Sequence, residues 1–301
     1  MRLLEIFTAL IAVAMAEPAP FVPLPHRQTI QSAAIKEASG VAASGADPNF
    51  LWVLNDSGAG PEIHLIGTDG SAHGGFKLKD AHNVDWEDLA GFTLDKKNYL
   101  LIADSGDNDA RRESRTLYIV PEPALPVPGT KLDSTVAPEW QIEFQYDGGP
   151  RDCEAVAVDP ASKSVILVTK RTTPPEVYQL PLRPPAGLQT ARKIGVTEVR
   201  CPIESTLPFP NQPTGLAITR DGSKAAIVTY AGLFLFSRKG GESWENVFGR
   251  NPIALAPHQL RQAESVTFSR DGKFLSVVSE GQESPIARYE AMRPAASRRA
   301  K

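Results

Sequence analysis

The stretches NVDWEDLAGF (residues 83–92) and YLLIADSGDN (residues 99–108) decide how this chain folds. The first begins with acidic residues and continues as a short apolar strand. The second is an apolar strand that ends in a polar loop containing glycine. The residues between them include DKKN (residues 95–98), which has the composition of a tight turn. Together these features predict a β-hairpin with acidic side chains at its open end.

The same hairpin pattern occurs five times along the chain. The equivalent positions at the start of the first strand are Ser39, Glu87, Glu154, Thr214 and Glu264. The residues that follow the second strand are Asp56, Asp104, Lys170, Tyr230 and Glu280. Each residue of the second set follows its partner by 16 or 17 positions, whereas the interval between hairpins varies. A constant hairpin inside units of variable length indicates a repeat fold with loop insertions.

Repeated hairpins without long helical periodicity predict an all-β fold, a β-propeller of four-stranded blades around a central channel. We expect five blades, because a sixth would need roughly 40–50 further residues. The fifth unit has strands only up to about Tyr289, so a strand near residues 29–33 is expected to complete it. N- and C-terminal strands would then close the ring. In the fourth unit, residues 244–248 are expected to form the outer strand.

The chain divides into three predicted parts. Residues 1–16 resemble a secretory signal peptide, with Arg2, an apolar stretch and the small-residue site Ala14-Met15-Ala16. An uncleaved N-terminal anchor is the alternative. Residues 17–290 form one propeller domain, and residues 291–301 form a basic disordered tail. We therefore expect an exported protein, periplasmic or secreted, with no membrane span after signal cleavage.

Charge and cysteine content narrow the class of protein further. The formal net charge of −3 gives no reason to expect a nucleic-acid partner, since such proteins usually carry a basic face. We expect a monomer. Cys153 and Cys201 lie at opposite ends of the third unit, which a propeller places on one face, so a disulfide is expected in an oxidising compartment. Two unpaired buried thiols are the alternative.

Propeller topology would bring the two repeated sets of polar residues to one mouth of the channel. Three glutamates facing one another there would repel, so they would take up a proton or hold a cation. A hard ion such as Ca²⁺ suits oxygen ligands. The candidate ligands are Glu87, Glu154, Glu264, Asp56, Asp104 and Asn108. Alternatively, each glutamate accepts hydrogen bonds from backbone N–H groups of the neighbouring blade and so locks the ring.

Cationic and proton-transfer groups near the mouth suggest what it could bind or do. Lys170 and Arg111 could hold a small anionic ligand or substrate, His82 could act as a general acid or base, and Asp104 is a further candidate catalytic residue. A charged loop is often only solvated, and a lone loop histidine is often incidental. No nucleophile elbow, phosphate-binding loop, HExxH motif or dinucleotide fingerprint is present.

Four segments carry a resemblance to known proteins. These are KEASGV (36–41), DWEDL (85–89), IADSGDN (102–108) and DCEAV (152–156). They resemble the blade signatures of exported bacterial propellers, the SdiA-regulated (YjiK-like) proteins, and more loosely the esterase-like phytase domains. The resemblance implies a propeller with a calcium site and marks architecture more than activity. Thr214 departs from the acidic pattern in the fourth unit.

Three functions follow as hypotheses. The first is an exported propeller that binds a small anionic ligand at an acidic axial mouth, with or without Ca²⁺. The second is a metal-dependent hydrolase of phosphate or carboxylic esters, in which the ion polarises the substrate while Lys170 and Arg111 hold its charge. The third is a protein-interaction scaffold that uses the blade faces.

Overall fold

A computed structural model describes residues 20–292 of the chain, and the predicted signal peptide and most of the predicted tail lie outside this range. The fold is all-β, and its one helix among the described residues has five residues. Two short strands, β1 (Phe21–Pro23) and β2 (Gln28–Thr29), come first. No helix within residues 20–292 has the length and apolar character needed to cross a membrane.

Five antiparallel units follow. Unit 1 contains β3 (Ala38–Ala43), β4 (Phe50–Asn55), β5 (Glu62–Gly67) and β6 (Ala72–Leu78). Unit 2 contains β7 (Trp86–Leu94), β8 (Lys97–Asp104), β9 (Arg115–Pro121) and β11 (Trp140–Tyr146), and between the last two β10 (Leu132–Val136) crosses to pair in parallel with β6. Unit 3 contains β12 (Cys153–Asp159), β13 (Ser164–Thr169), β14 (Glu176–Pro181) and β15 (Gln189–Val196).

The last two units are completed in different ways. Unit 4 contains β16 (Pro213–Ile218), β17 (Lys224–Thr229), β18 (Leu233–Ser237), helix α1 (Trp244–Phe248) and β19 (Ile253–Ala254). Unit 5 contains β20 (Ala263–Phe268), β21 (Phe274–Ser279) and β22 (Pro285–Ala291). The strands β1 and β2 both pair antiparallel with β22, so the N-terminal segment completes the last unit. The predicted strand at residues 29–33 overlaps these pairing segments only at Thr29, because the pairing begins earlier, at Phe21.

The first strands of the units, β3, β7, β12, β16 and β20, pack side by side in a closed circle. Five apolar clusters fill the spaces between neighbouring units, one for each adjacent pair. Each sheet is therefore covered on both faces, which explains why strands such as β12 and β13 are buried along their whole length. The result is a propeller-like arrangement in which every first strand borders the axis.

One element in unit 4 departs from the expected pattern. Residues 244–248 form α1 and not the predicted strand. The Ser243 side chain caps the helix by accepting a hydrogen bond from the Asn246 N–H at 3.2 Å. Trp244, Val247 and Phe248 are buried, and their spacing fits one face of a helix. The short strand β19 takes the outer position beside β18.

The predicted disulfide is absent, because both cysteines are free. Cys153 is buried at the start of β12, and its Sγ lies 3.4 Å from the Val168 carbonyl oxygen. Cys201 lies in the connection to unit 4, with its Sγ 3.6 Å from the Ala231 carbonyl oxygen. The connection carries Cys201 away from its own unit to pack beside unit 4, which the linear pattern did not indicate.

Candidate functional site

A β-bulge in the first strand of every unit positions the inner polar ring. The register of each first hairpin skips one residue, and the skipped residues are Ser39, Glu87, Glu154, Thr214 and Glu264. A bulge inserts an unpaired residue and redirects its side chain out of the regular pleat. These five residues are the repeated positions that the sequence analysis identifies at the start of each first strand, and they are called the inner set here. The repeated bulge is therefore the local feature that directs these side chains toward the mouth.

The structure brings Glu87, Glu154 and Glu264 to one site. They line a single cavity of about 130 Å³ at one end of the circle of first strands. The acidic residues that line it are Glu37, Asp56, Glu87, Glu154, Glu264 and Glu280. Thr214 does not line this cavity, and its hydroxyl donates to the Ala263 carbonyl oxygen at 2.7 Å. The acidic ring is thus interrupted at unit 4, as the sequence indicates.

The residues that follow the second strand of each hairpin, called the outer set here, lie at the cavity in four units, and in unit 2 the equivalent position is shifted by one residue. Asp56, Lys170, Tyr230 and Glu280 all line the cavity. Asp104 pairs with Trp86, which makes it equivalent to Asn55 and not to Asp56. The first hairpin of unit 2 is longer, so Ser105 occupies the outer position there. Side chains alternate along a strand, and a shift of one residue therefore directs Asp104 elsewhere.

Two groups of carboxylates at the mouth have the spacing of metal ligands. Oxygen atoms of Asp56, Asp85 and Glu87 lie within 4.8 Å of one another, and so do those of Glu87, Asp152 and Glu154. Asp85 and Asp152 are absent from the predicted ligand set. Each stands two residues before an inner glutamate, in Asp-Trp-Glu and Asp-Cys-Glu, so the repeated Asp-x-Glu spacing is the signal that could have identified them.

Basic side chains neutralise some of the carboxylates at and near the mouth. Arg112 pairs with Asp104 at 2.8 Å, Arg171 pairs with Asp152 at 2.6 Å, and Lys170 pairs with Glu154.

The Asp56, Asp85 and Glu87 group has no such partner. None of its carboxylates forms an ion pair with a lysine or arginine in the described part of the chain. Glu264, which is only 8% exposed, accepts no hydrogen bond from any described residue. Negative charge at the mouth is therefore only partly neutralised by basic side chains.

The other predicted site residues lie at or outside the edge of the cavity. Asn108 lines it, and its side-chain oxygen accepts a hydrogen bond from Arg171. Arg111 is exposed and pairs with Asp109 at 3.5 Å. His82 is exposed and does not line the cavity. Asp104 is buried against Arg112. The structure therefore brings Lys170, but not Arg111 or His82, to the cavity.

Burial and mutual repulsion shift the pKa values of the ionisable side chains at the mouth. Burial, with repulsion from Glu154, raises the pKa of Glu87 well above its ordinary value, and the same two causes raise the pKa of Glu264. Burial raises the pKa of Asp85 to about 6. Burial alone would lower the pKa of Lys170, but attraction to Glu154 outweighs it and raises that pKa. Carboxylates in this condition take up protons or bind a cation.

Asp88, at the next position along β7, joins the units below the mouth. Its buried carboxylate accepts hydrogen bonds from the N–H groups of Leu89 (2.8 Å), Val156 (2.9 Å) and Leu216 (3.2 Å). It also accepts one from the Ser265 hydroxyl at 3.0 Å, and that hydroxyl in turn accepts the Val41 N–H at 2.9 Å. One side chain thus connects units 2, 3, 4 and 5 directly and unit 1 through Ser265.

These hydrogen bonds bear on the alternative in which the glutamates lock the ring by accepting backbone N–H groups of the neighbouring unit. Glu87 accepts from the Ser39 hydroxyl at 3.2 Å, Glu154 accepts from Lys170, and no described backbone N–H donates to Glu87, Glu154 or Glu264. The glutamates therefore do not lock the ring. Asp88 has that role, which leaves the glutamate side chains available at the cavity.

Glycine makes room for this contact. Gly40 and Gly215 follow the bulges of units 1 and 4, at the position that Asp88 occupies in unit 2. A Cβ on Gly40 would lie 2.7 Å from the Leu89 nitrogen, and one on Gly215 would lie 2.8 Å from the Ser265 Cα. The first strands approach too closely there for any side chain.

No family model matches the chain, and no curated protein matches it. Among solved structures, the chain is similar to one described as a nidogen/laminin complex, with 15% sequence identity and a TM-score of 0.42. That similarity covers 82% of this chain and 76% of the other chain.

Proposed function

We propose that the chain is a five-bladed β-propeller that holds a divalent cation at its axial mouth and binds a small anionic ligand through that cation. The five blades are the five units whose first strands form the circle around the axis. The observation that carries the function is the unpaired carboxylate group of Asp56, Asp85 and Glu87. The resemblance to exported SdiA-regulated propellers remains a prediction beside it.

Charge pairing at the mouth supports one cation at this position. Three carboxylates near the mouth each have a basic partner, Asp104, Asp152 and Glu154. Among the carboxylates that lack one, Asp56, Asp85 and Glu87 lie within 4.8 Å of one another, and Glu87 is only 3% exposed. Closely spaced buried carboxylates strongly repel unless a positive charge lies between them. A bound ion would supply the charge that no described side chain supplies.

The donor set favours Ca²⁺ over softer metals. All the candidate ligands are carboxylate oxygens, and neither cysteine nor histidine is among them. Calcium accepts six to eight oxygen ligands in flexible geometry and commonly keeps water among them. Asp56, Asp85 and Glu87 would hold the ion, while the cavity of about 130 Å³ leaves space for a few waters or one ligand group.

A bound cation also explains how an acidic mouth could receive an anion. The metal-free lining carries six acidic residues and one lysine, so it repels anions. A divalent ion would reduce this negative charge and offer coordination positions toward the cavity. An oxygen of the ligand would replace water at the ion, next to the Lys170 ammonium group.

A metal-dependent hydrolase is the second candidate. The observation that favours it is that Glu87 belongs to two carboxylate groups, which is the arrangement expected where two ions share a ligand. In this chain, however, two members of the second group already pair with Arg171 and Lys170. One ion is therefore better supported than two, and ligand binding is better supported than hydrolysis.

Thermal unfolding of the chain in Ca²⁺ and in chelator tests the proposal. Calcium should raise the melting temperature, because a ligand that binds only the native state at about 100 times its Kd adds roughly 2.7 kcal/mol of stability. The Glu87→Gln variant should be at least as stable as wild type in chelator, since one repelling charge is removed, but should gain little from calcium.

Glu62→Gln is the matched control, because Glu62 pairs with Lys77 on the surface and lies outside the cavity. It should respond to calcium as wild type does. If Glu87→Gln responds equally well, the metal proposal is wrong. Assays with phosphate and carboxylic esters, with and without chelator, decide between binding and hydrolysis; metal-dependent turnover would favour the second candidate.

A further inference from the structure

A second cavity of about 430 Å³ adjoins the mouth. Lys170, Tyr230 and Gln262 line both cavities, so the two lie side by side. We infer that this adjoining groove binds the apolar body of an organic anion whose charged group lies at the mouth. The inference rests on the proposed function and specifies its ligand as an anionic oxygen group, phosphate or carboxylate, attached to a flat apolar body.

The charge of the groove is opposite to that of the mouth. Three basic residues line it, Lys170, Arg171 and Arg261, and no aspartate or glutamate does. Lys170 and Arg171 face acidic partners at the mouth, whereas Arg261 is exposed and forms no ion pair within residues 20–292. Arg261 is therefore free to pair with a ligand. A ligand with its negative charge near Lys170 would therefore have an unpaired guanidinium group available in the adjoining groove.

Apolar groups line the outer part of the groove. They belong to the connection between units 3 and 4, where Leu207, Pro208 and Phe209 stand together. Phe209 is 66% exposed, which is unusual for a large aromatic side chain. An exposed aromatic group in a concave site with a few polar groups is typical of a ligand pocket. The flat ring offers a stacking surface beside the basic residues.

The backbone holds Phe209 in its exposed position. Its φ is 51°, in the left-handed region that a bulky residue rarely adopts. The Gln212 N–H donates to the Phe209 carbonyl oxygen at 3.1 Å, and the Ala231 N–H donates to the Pro210 carbonyl oxygen at 3.0 Å. These bonds fix the loop against unit 4. Phe209 is therefore exposed and has an unfavourable backbone conformation. A side chain with a purely structural role would be buried and its backbone relaxed.

Tyr230 connects the two cavities. The Lys170 Nζ lies 5.2 Å from the centre of its ring, a distance at which a cation and an aromatic face attract each other. The ring thus lies beside Lys170 and lines the groove together with the apolar residues. A ligand whose aromatic body reaches Phe209 would pass along Tyr230 with its anionic end at the mouth.

Calorimetric titration with phenyl phosphate, benzoate, inorganic phosphate and phenol, each in excess Ca²⁺, tests this inference on the full chain. Phenyl phosphate or benzoate should bind at least about tenfold more tightly than either inorganic phosphate or phenol, because only they use both parts of the site. The better of the two identifies the anionic group. If inorganic phosphate binds as tightly as phenyl phosphate, and benzoate does not bind, the groove contributes nothing and the inference is wrong.

Two variants locate the binding. Arg261→Gln should weaken the better aromatic anion by about tenfold, the usual effect of losing a charged hydrogen bond. Phe209→Asn should weaken it similarly without lowering stability, because asparagine tolerates the left-handed backbone. Arg192→Gln, on an exposed part of β15, and Ile203→Ser, in the same connection but outside the groove, are the controls and should bind like wild type.

The outcomes separate this inference from the proposed function. Normal Ca²⁺ binding in both groove variants, together with weakened aromatic-anion binding, supports the inference. Normal Ca²⁺ binding with unchanged anion binding in both variants contradicts the inference but leaves the metal site standing. Failure of the wild-type chain to bind Ca²⁺ contradicts the proposed function, and it appears in the metal titration before any anion is added.

Discussion

At the scale of single residues, two buried carboxylates at or below the mouth differ in their hydrogen bonding. Asp88 is fully buried, and burial raises its pKa well above the ordinary value, but four hydrogen bonds favour the charged form. Glu264 is nearly as buried and has no donor among the described residues. The hydrogen-bonding capacity of the Asp88 carboxylate is used by the protein itself, whereas that of the Glu264 carboxylate is not. This contrast separates the structural acid from the candidate site.

His258 predicts a pH dependence of stability that is independent of the mouth. Its ring is 2% exposed, Nδ1 accepts the Leu260 N–H at 3.0 Å, and Nε2 lies 3.1 Å from the Thr229 carbonyl oxygen. Only the neutral ring with its proton on Nε2 satisfies both contacts. Burial lowers the pKa of His258 to about 4, and nearby Arg27 acts in the same direction.

The sign follows from linkage between protonation and folding. The unfolded chain binds this proton near pH 6.5 and the folded chain only near pH 4, so stability is lost as the pH falls between these values. The loss should reach about 3 kcal/mol at full protonation. Urea unfolding at several pH values should show a steeper decline for wild type than for His258→Gln. The exposed control His82→Gln should follow wild type; an equally steep decline in His258→Gln would refute the prediction.

At the scale of elements, the hairpin repeat made the inner ring predictable from sequence. Glu87, Glu154 and Glu264 occupy the same step of the same local pattern, and each proved to be a bulge residue. Asp85 precedes β7, so the strand pattern does not place it, and the Asp-x-Glu spacing gives its position in sequence but not its contacts. Its position depends on long-range contacts, with its N–H 3.2 Å from Asp104 and its carbonyl oxygen accepting the Gly106 N–H at 3.1 Å.

The helix in unit 4 shows a second limit of local patterns. The segment 244–248 is as apolar as an outer strand, and alternation over five residues does not separate a strand from one helical turn. The deciding contact comes from another unit. The Trp244 Nε1 donates to Asp159 at 2.9 Å, and the Arg238 guanidinium donates to the same oxygen at 2.7 Å.

This contact predicts that Asp159 anchors α1. The carboxylate is fully buried, and although burial acts against it, hydrogen bonds from Ser162, Trp244 and Arg238 hold its pKa below the ordinary value. Asp159→Asn should lower the free energy of unfolding by about 3 kcal/mol, because it leaves buried donors without a charged acceptor. Chemical denaturation measures this.

A matched control for the anchor lies in unit 5. Asp271→Asn changes an exposed aspartate at the turn between β20 and β21 and should cost less than about 1 kcal/mol. Equal stability of Asp159→Asn and wild type would show that α1 is held by its apolar face alone.

At the scale of the whole molecule, the circle of first strands depends on Asp88. The five-fold repeat predicted that neighbouring units meet at the axis, but not that one carboxylate joins them. Asp88 follows an inner glutamate, and nothing in its local pattern distinguishes it from a further mouth acid. Only the closed ring reveals its role, since its donors Val156, Leu216 and Ser265 belong to three other units.

Asp88→Asn should therefore destabilise the whole chain and not one unit. An amide nitrogen would face N–H donors that now meet a carboxylate oxygen, and the cost should be about 3 kcal/mol or more. Urea unfolding should remain a single transition with a lower midpoint. Asp133→Asn, on the exposed part of β10, should be neutral. A native-like midpoint for Asp88→Asn would mean that the apolar clusters hold the ring without it.

The cation site is tested most directly by calorimetric titration of the full chain with Ca²⁺. The wild-type chain should bind one ion, and Glu87→Gln and Asp85→Asn should each weaken binding by about tenfold or more, because calcium affinity follows the number of charged ligands. Glu62→Gln should titrate like wild type. Absence of calcium binding, or binding of equal strength in Glu87→Gln, would contradict the assignment of a cation to Asp56, Asp85 and Glu87.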